Sequence, residues 1–105
     1  MISFKPTKED DFYGYIAIDG EEQVGRCLFK IDGMYADLLK ILAKDDLIAE
    51  GLVRSALNFA ANRSCYIARC PEGQADSVLE GLGFKNLSGI YSAEIPEALK
   101  GSCCK

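Results

Sequence analysis

A central stretch of the chain combines the two hydrophobic periodicities that predict regular secondary structure. It opens with an apolar run, Leu38, Leu39, Ile41 and Leu42, that is typical of a strand buried on both faces. After a polar turn, apolar residues recur at spacings of three and four, which predicts a helix of about four turns. The apolar stripe of this helix consists of Ile48, Ala49, Leu52, Val53, Ala56, Leu57, Phe59 and Ala60.

The residues before this stretch predict an antiparallel meander of three strands. These strands are Tyr13–Ile18, Gln23–Ile31 and Met34–Leu42. Asp-Gly between strand-like runs favours a hairpin, because both residues tolerate positive φ. Asp32-Gly33 fits a two-residue turn and Asp19-Gly20 a longer loop. Further upstream we expect an edge strand at Met1–Phe4, stopped by Pro6, and a polar connection at Thr7–Asp11.

The residues after the helix predict a second strand parallel to the first. Cys65–Ala68 has strand character, and a strand–helix–strand succession forms a right-handed crossover. Gln74–Leu82 then predicts a short helix with Gly83 as its cap. A last strand or two runs from Phe84 to Ile95, Pro96 ends it, and residues 100–105 are expected to form a flexible tail. The fold class is therefore α/β with a mixed α+β sheet, in a single domain over residues 1–105.

Composition and charge limit the classes of partner. The 105 residues carry a net charge of −4 and a pI of about 4.8. This balance disfavours nucleic acid and anionic membrane surfaces as main partners. No apolar run reaches the roughly 20 residues of a membrane span, and Met1–Asp11 has no signal-peptide core. We expect a cytoplasmic protein.

Five cysteines and no histidine are present. An odd count without a signal peptide favours reduced thiols over a disulfide framework. A zinc site from Cys70, Cys103, Cys104 and a fourth ligand is conceivable, but neighbouring cysteines suit one tetrahedral ion poorly. We therefore predict no metal site, with Cys27, Cys65 and Cys70 as structural thiols.

The order of elements resembles the GCN5-related N-acetyltransferases, or GNAT family. The resemblance is carried by the hairpins, by the apolar strand entering the helix with Leu52–Leu57, and by Leu79–Lys85. In that family a Leu-Gly-Phe sequence closes the short helix, and Leu82-Gly83-Phe84 matches it. The family's acetyl-CoA loop reads Gln/Arg-x-x-Gly-x-Gly/Ala, and its best alignment is Lys44–Ala49.

The resemblance implies an acetyl-CoA site, and several residues depart from the family pattern. Lys44 and Ala49 are compatible with the loop, but Leu47 replaces the glycine that lets the backbone approach the pyrophosphate. Asp45 and Asp46 add negative charge there, and either can instead cap the helix. The implied cofactor-binding residues are Ile41, Leu42 and Ala43 for the pantetheine arm, and Lys44, Leu47, Ile48, Ala49, Glu50 and Gly51 around the pyrophosphate.

The same resemblance implies a catalytic acid and base. The family's frequent general-acid tyrosine falls on Leu79, which cannot donate a proton. Tyr35, Tyr66 and Tyr91 are alternative donors, of which Tyr91 is selected, and Asp37 is the candidate base on position. Each also has an ordinary structural interpretation, as a solvated strand residue for Asp37 and a core residue for the tyrosines.

Two classes of function remain. The first is acetyl transfer from acetyl-CoA to a small-molecule or peptide amine by direct attack. The second is a non-catalytic module of the same fold, with a degraded CoA loop, acting through its acidic surface or its C-terminal cysteines. A homodimer is compatible with either.

Overall fold

Seven strands form one mixed sheet, and the predicted long helix packs on it. The computed structural model describes residues 1–101, with side chains through Leu99. Within this range the elements are β1 (Ile2–Glu9), β2 (Phe12–Asp19), β3 (Glu22–Asp32), β4 (Tyr35–Ala43), α1 (Asp46–Ala61), β5 (Ile67–Pro71), α2 (Asp76–Gly81), β6 (Lys85–Leu87), β7 (Ile90–Glu94) and α3 (Ile95–Gly101). The strand order is β1-β2-β3-β4-β5-β7-β6. The predicted mixed sheet is thus confirmed.

The antiparallel meander extends further towards the N-terminus than the sequence indicated. β1 pairs with β2 along its whole length, and Pro6 lies opposite Tyr15. The predicted stop at Pro6 was wrong because β1 is an edge strand, where a missing N–H breaks no ladder. The predicted polar connection at Thr7–Asp11 was also wrong. Most of it is strand, and Asp10, with φ 52°, turns the chain directly into β2.

Both Asp-Gly pairs mark hairpins, each with a two-residue turn. Asp19 pairs with Glu22, so Gly20 and the next residue form the turn and the longer loop is absent. Asp32 pairs with Tyr35, which shifts the predicted turn by one residue. Gly20 and Gly33 have φ of 67° and 61°, values that glycine adopts without steric cost.

The strand that follows α1 runs parallel to β4, as predicted. The pairing is short and joins Tyr35, Ala36 and Asp37 to Ile67, Ala68 and Arg69. β5 starts two residues later than expected, so Cys65 precedes the strand. Beyond Asp37, β4 continues for six residues with no strand pairing on the β5 side. The sheet therefore opens at this point, and we call the space between β4 and β5 the splay.

All three helices lie on the same face of the sheet. α1 packs on β2, β3 and β4 and contacts both α2 and α3. Its predicted apolar stripe is buried except for Phe59, which is half-buried and packs among Tyr13, Tyr15 and Phe29. Glu50 and Arg54 form the i,i+4 ion pair at 3.0 Å. Among residues 1–101, the helices are all too short or too polar to cross a bilayer.

The opposite face of the sheet carries no helix in the described part of the chain. On β4, Leu38 and Ile41 are buried under α1, whereas Leu39 and Leu42 are 37% and 51% exposed. The prediction of a strand buried on both faces was therefore wrong. Consecutive residues of a strand face opposite sides, and a β-bulge at Leu39, where Leu28 pairs with Lys40 but Phe29 with Leu38, places Ile41 on the same buried face as Leu38.

The C-terminal part contains one helix that the sequence did not predict. α2 is shorter than expected, and Gly83, with φ 97°, ends it while the Phe84 N–H bonds to the Leu79 carbonyl at 2.9 Å. The last strands form the β6–β7 hairpin. The strands end before Pro96, as predicted, and this proline lies in the first turn of α3, where proline is favoured. The predicted tail is wrong for Lys100 and Gly101, which end α3; Cys103 and Cys104 lie outside the described residues.

Gly51 of α1 provides a first testable prediction. A Cβ built there would lie 2.2 Å from Cζ of Phe4 on β1, so G51A should force the Phe4 ring and its edge strand to move. Overpacking of this kind destabilises by about 1–3 kcal/mol, partly offset by the ~1 kcal/mol better helix propensity of alanine. We expect a net loss measured by urea unfolding. G81A is the matched control, because nothing lies within 4 Å of its Cβ and it should stabilise. A G51A variant as stable as G81A would contradict the contact.

Candidate functional site

The splay between β4 and β5 forms a cavity on the face of the sheet that carries no helix. Its volume is about 370 Å³. Asp37 and Arg69, the last residues paired across the two strands, line it together with Leu39, Pro71 and Ile90. The cavity therefore combines one carboxylate, one guanidinium and apolar walls at the point where backbone groups of β4 lose their strand partner.

Asp37 is held by Arg69 in a two-pronged ion pair. Arg69 Nε and Nη2 donate to Oδ1 and Oδ2 of Asp37 at 2.7 and 3.1 Å. The guanidinium also stacks 4.0 Å from the ring centre of Tyr35. The hydrogen bond to Asp37 raises the pKa of Arg69, so this cation stays charged. Asp37 is thus fixed in orientation, and to accept a proton it must share its oxygens with Arg69.

A backbone amide inside the splay is bonded to a side chain rather than to a strand. The Ile41 N–H donates to Oε1 of Gln74 at 3.1 Å. Gln74 lies in the connection between β5 and α2, 33 residues further along the chain. Ile41 was predicted to bind a pantetheine arm through its backbone, and in this structure an amide carbonyl of the protein itself is bound there.

The start of α1, predicted to bind pyrophosphate, is capped by its own chain. Asp45 accepts from the Ile48 N–H at 3.0 Å through its side chain and from the Ala49 N–H at 3.0 Å through its carbonyl. The capping role weighed for Asp45 is confirmed. A cavity of about 460 Å³ beside this turn is lined by Asp46 and Glu50 on the α1 side and by Ser77 of α2.

This turn does not suit a diphosphate. One free amide of the first turn, the Ile48 N–H, is occupied by the Asp45 carboxylate, and two further carboxylates line the adjoining cavity, so the anion would meet repulsion where donors are needed. The Leu47 side chain is 79% exposed. Gly51 contacts Phe4 of β1, so its lack of a side chain serves packing. In the splay, by contrast, the Ile41 N–H is a donor for an uncharged amide carbonyl.

Tyr91 and Asp37 lie on opposite faces of the sheet. Tyr91 pairs with Cys70, whose side chain faces the helices, and Asp37 pairs with Arg69, on the other face. The Tyr91 hydroxyl donates to Oε2 of Glu80 at 2.6 Å, and this hydrogen bond raises the pKa of Tyr91. Tyr66 is likewise bonded to Glu94, at 3.3 Å. The two selected catalytic residues are therefore not brought together.

A larger cavity, of about 760 Å³, lies at the far edge of the sheet. It is lined by Glu80, Glu94 and Glu97 around the free end of β7 and by residues of α2 and α3. It includes none of the predicted site residues. The splay is smaller, and of the predicted site residues it is lined by Asp37, the candidate base.

The same strand arrangement occurs in solved acetyltransferases. A probable acetyltransferase from Staphylococcus epidermidis ATCC 12228 superposes with TM-score 0.72 at 15% identity, covering 81% of this chain and 68% of that one. An acetyltransferase assigned to the GNAT family from Desulfovibrio desulfuricans gives 0.72 at 13%, covering 81% and 70%. The PaiA N-acetyltransferase from Thermoplasma acidophilum, in complex with coenzyme A, gives 0.68 at 18%, covering 80% and 61%.

This chain has the GNAT fold. No family model and no curated protein matches its sequence. The chain spans 61% of the length of the coenzyme A complex, so a large part of that protein has no counterpart here. β1 and β2 are joined by a tight turn, and no helix stands between them on the open face of the sheet.

Sequence reasoning missed two residues of this candidate site, Arg69 and Gln74. The sequence could have indicated Arg69, because Ala68 and Cys70 are apolar and the parallel pairing places the residue between them opposite Asp37. For Gln74 no such signal exists. It follows Gly73 in a connection whose path is set by tertiary contacts.

The cysteines of the described part are buried structural thiols. Burial raises the pKa of Cys27 from 9.0 to about 11 and that of Cys70 to about 12, and it also raises the pKa of Cys65. Residues 1–101 contain no group of three metal-ligating side chains. The conceivable zinc set with Cys103 and Cys104 falls partly outside the described residues.

These thiols give a second prediction. Iodoacetamide at pH 8 should leave Cys27 and Cys70 unmodified in the folded protein and modify both in urea, as read by peptide mass spectrometry, because the thiolate is the nucleophile. Rapid labelling of either thiol in the folded protein would contradict the burial.

Burial of these thiols also makes stability depend on pH. Because the thiol pKa is higher in the folded state than its ordinary value of 9.0, the thiols stabilise the fold below pH 9, and this contribution is lost as pH rises towards about 12. The free energy of unfolding should therefore fall above pH 9.

Proposed function

We propose that this chain is a small N-acyltransferase that takes an acyl thioester by its pantetheine arm in the splay. The observation that carries the proposal is the cavity between β4 and β5, which Asp37 lines, together with the Ile41 N–H of β4, which has no strand partner. Solved structures of the same fold include the PaiA N-acetyltransferase in complex with coenzyme A, which supports a coenzyme A thioester as the donor.

Each residue of the splay would have its own role in the reaction. β4 binds the arm through the Ile41 N–H, as one strand pairs with another. Asp37, oriented by Arg69, accepts the proton of the attacking amine as the new N–C bond forms and the C–S bond breaks. The acceptor, a small-molecule or peptide amine, would approach from the face without helices. The start of α1 contributes little, because it does not suit the diphosphate.

A second candidate function is a binding module without catalysis. It is favoured by one observation, the carboxylate of Asp45 on the amide that an anionic ligand would need. Under this alternative neither acetyl-CoA nor a simpler thioester binds in the splay, and the fold is retained for its surface.

Thermal unfolding with two donors separates the candidates. Acetyl-CoA and S-acetyl-pantetheine, which lacks the nucleotide, should both raise the midpoint; a ligand at 100 times its Kd adds about 2.7 kcal/mol. D46N should tighten acetyl-CoA by about fivefold, since ~1 kcal/mol of repulsion at 4 Å in water is removed, and leave S-acetyl-pantetheine unchanged. E21Q, in the distant β2–β3 turn, is the matched control. No shift with either donor at 10 mM would leave the second candidate.

A further inference from the structure

The side chain of Gln74 occupies a position in the splay where a ligand's carbonyl would bind. Its Oε1 accepts from the Ile41 N–H at 3.1 Å. Ile41 lies opposite Cys27 of β3, yet its amide points away from β3 into the splay. The group that accepts this hydrogen bond is a primary amide, chemically close to the secondary amides of a pantetheine arm.

The backbone on both sides of Gln74 is fixed independently of this contact. The Glu72 N–H donates to the Gly89 carbonyl at 3.0 Å, and the Gly73 N–H donates to Oδ1 of Asp76 at 2.8 Å. α2 begins two residues after Gln74 and is anchored by the buried Val78 and Leu79. Rotation of the Gln74 side chain alone therefore frees the Ile41 amide, and such rotamer changes are fast compared with domain motions.

We infer that Gln74 is an internal competitor that stands in for the amide carbonyl of the donor's arm and sets the affinity of the splay for it. The inference rests on the proposed function and adds to it a residue that determines selectivity. A donor must replace the carbonyl it displaces, because a half-buried amide left without an acceptor is unfavourable. Arms that carry an amide can do so, whereas a plain alkyl thioester offers only its reacting carbonyl, which is a weaker acceptor than an amide.

The expected effect follows from exchanging one amide hydrogen bond for another. A net contribution of one such bond corresponds to about two- to tenfold in affinity. Removal of the Gln74 side chain should therefore tighten S-acetyl-pantetheine by that factor. A variant that keeps a carbonyl oxygen at the same reach should not gain affinity.

The test uses calorimetric titration of S-acetyl-pantetheine into the full chain and into Q74A, Q74S and Q74E, with Q23A on β3 as a control. Amide hydrogen exchange at Ile41 is followed in parallel. We expect Q74A and Q74S to bind two- to tenfold more tightly than the parent, and Q74E and Q23A to show no gain. The Ile41 amide should exchange faster in ligand-free Q74A and become protected again when the thioester is bound.

The outcomes separate this inference from the function on which it rests. Binding of equal strength by the parent, Q74A and Q74S would overturn the role of Gln74 and leave the proposed function intact. A ligand that binds but leaves the Ile41 amide of Q74A unprotected would overturn both the role of Gln74 and the binding of the arm through Ile41. Absence of binding to every variant would remove the proposed function, and the competitor role with it. Q74S keeps the test valid if Q74A does not fold.

Discussion

Substitution of Asp37 by asparagine is expected to lower kcat/KM for amine acylation by about 10²- to 10⁴-fold, the usual contribution of a positioned general base. Asparagine keeps the size of the side chain but cannot accept the amine's proton, and it loses the two-pronged ion pair with Arg69. The assay follows release of free thiol from S-acetyl-pantetheine with a panel of primary amines. KM for the thioester should change little, because Asp37 does not contact the arm in this proposal.

The control for this substitution lies in the β1–β2 turn. D11N makes the same aspartate-to-asparagine change at an exposed residue and should leave turnover unaffected. R69M tests whether Arg69 orients Asp37, since Asp37 keeps its charge but loses both hydrogen-bond donors. We expect a loss of kcat/KM smaller than that of D37N. If D37N retains more than a tenth of the parental kcat/KM while remaining folded by circular dichroism, Asp37 is not the base.

Substitution of Leu52 by alanine is expected to remove about 2–5 kcal/mol of folding free energy. Leu52 is fully buried at the centre of α1, and its carbonyl accepts the Cys27 thiol at 3.8 Å. Its Cδ1 would lie 3.1 Å from a Cβ at Gly25 on β3, so the leucine fills the space that this glycine leaves. Domains of this size have about 5–15 kcal/mol in total, so L52A should lie close to the limit of folding.

The measurement is urea unfolding at constant pH, with the slope compared between variants. L47A is the matched control, because Leu47 belongs to the same helix but is 79% exposed. We expect L47A to lie within about 0.5 kcal/mol of the parent. Equal losses for the two variants would mean that α1 is not packed on β3 as described.

Local patterns were sufficient for most of the fold. The spacing of Leu52, Val53 and Leu57 predicts a one-sided helix, and both Asp-Gly pairs predict hairpins, because these features depend on residues close in sequence. The failures have one origin, the position of a segment in the finished sheet. Pro6 is tolerated because β1 is an edge strand, and Leu39 is exposed because nothing described covers that face.

The candidate site was less predictable from sequence for a related reason. Asp37 was chosen for its position in a strand, and the parallel pairing places it at the splay beside Arg69. Tyr91 could not be placed, because the alternation of β7 alone does not tell which face carries the helices. Gln74 reaches Ile41 across 33 residues by a path that no local pattern describes.

The short pairing of β4 with β5 has a mechanical consequence. Three residue pairs join the N-terminal meander to the C-terminal hairpin within the sheet. This makes the junction a weak line of the sheet, at which the two halves can separate locally before the whole domain unfolds. A molecule bound between these strands would bridge that line, and so would bind the two halves into a single cooperative unit.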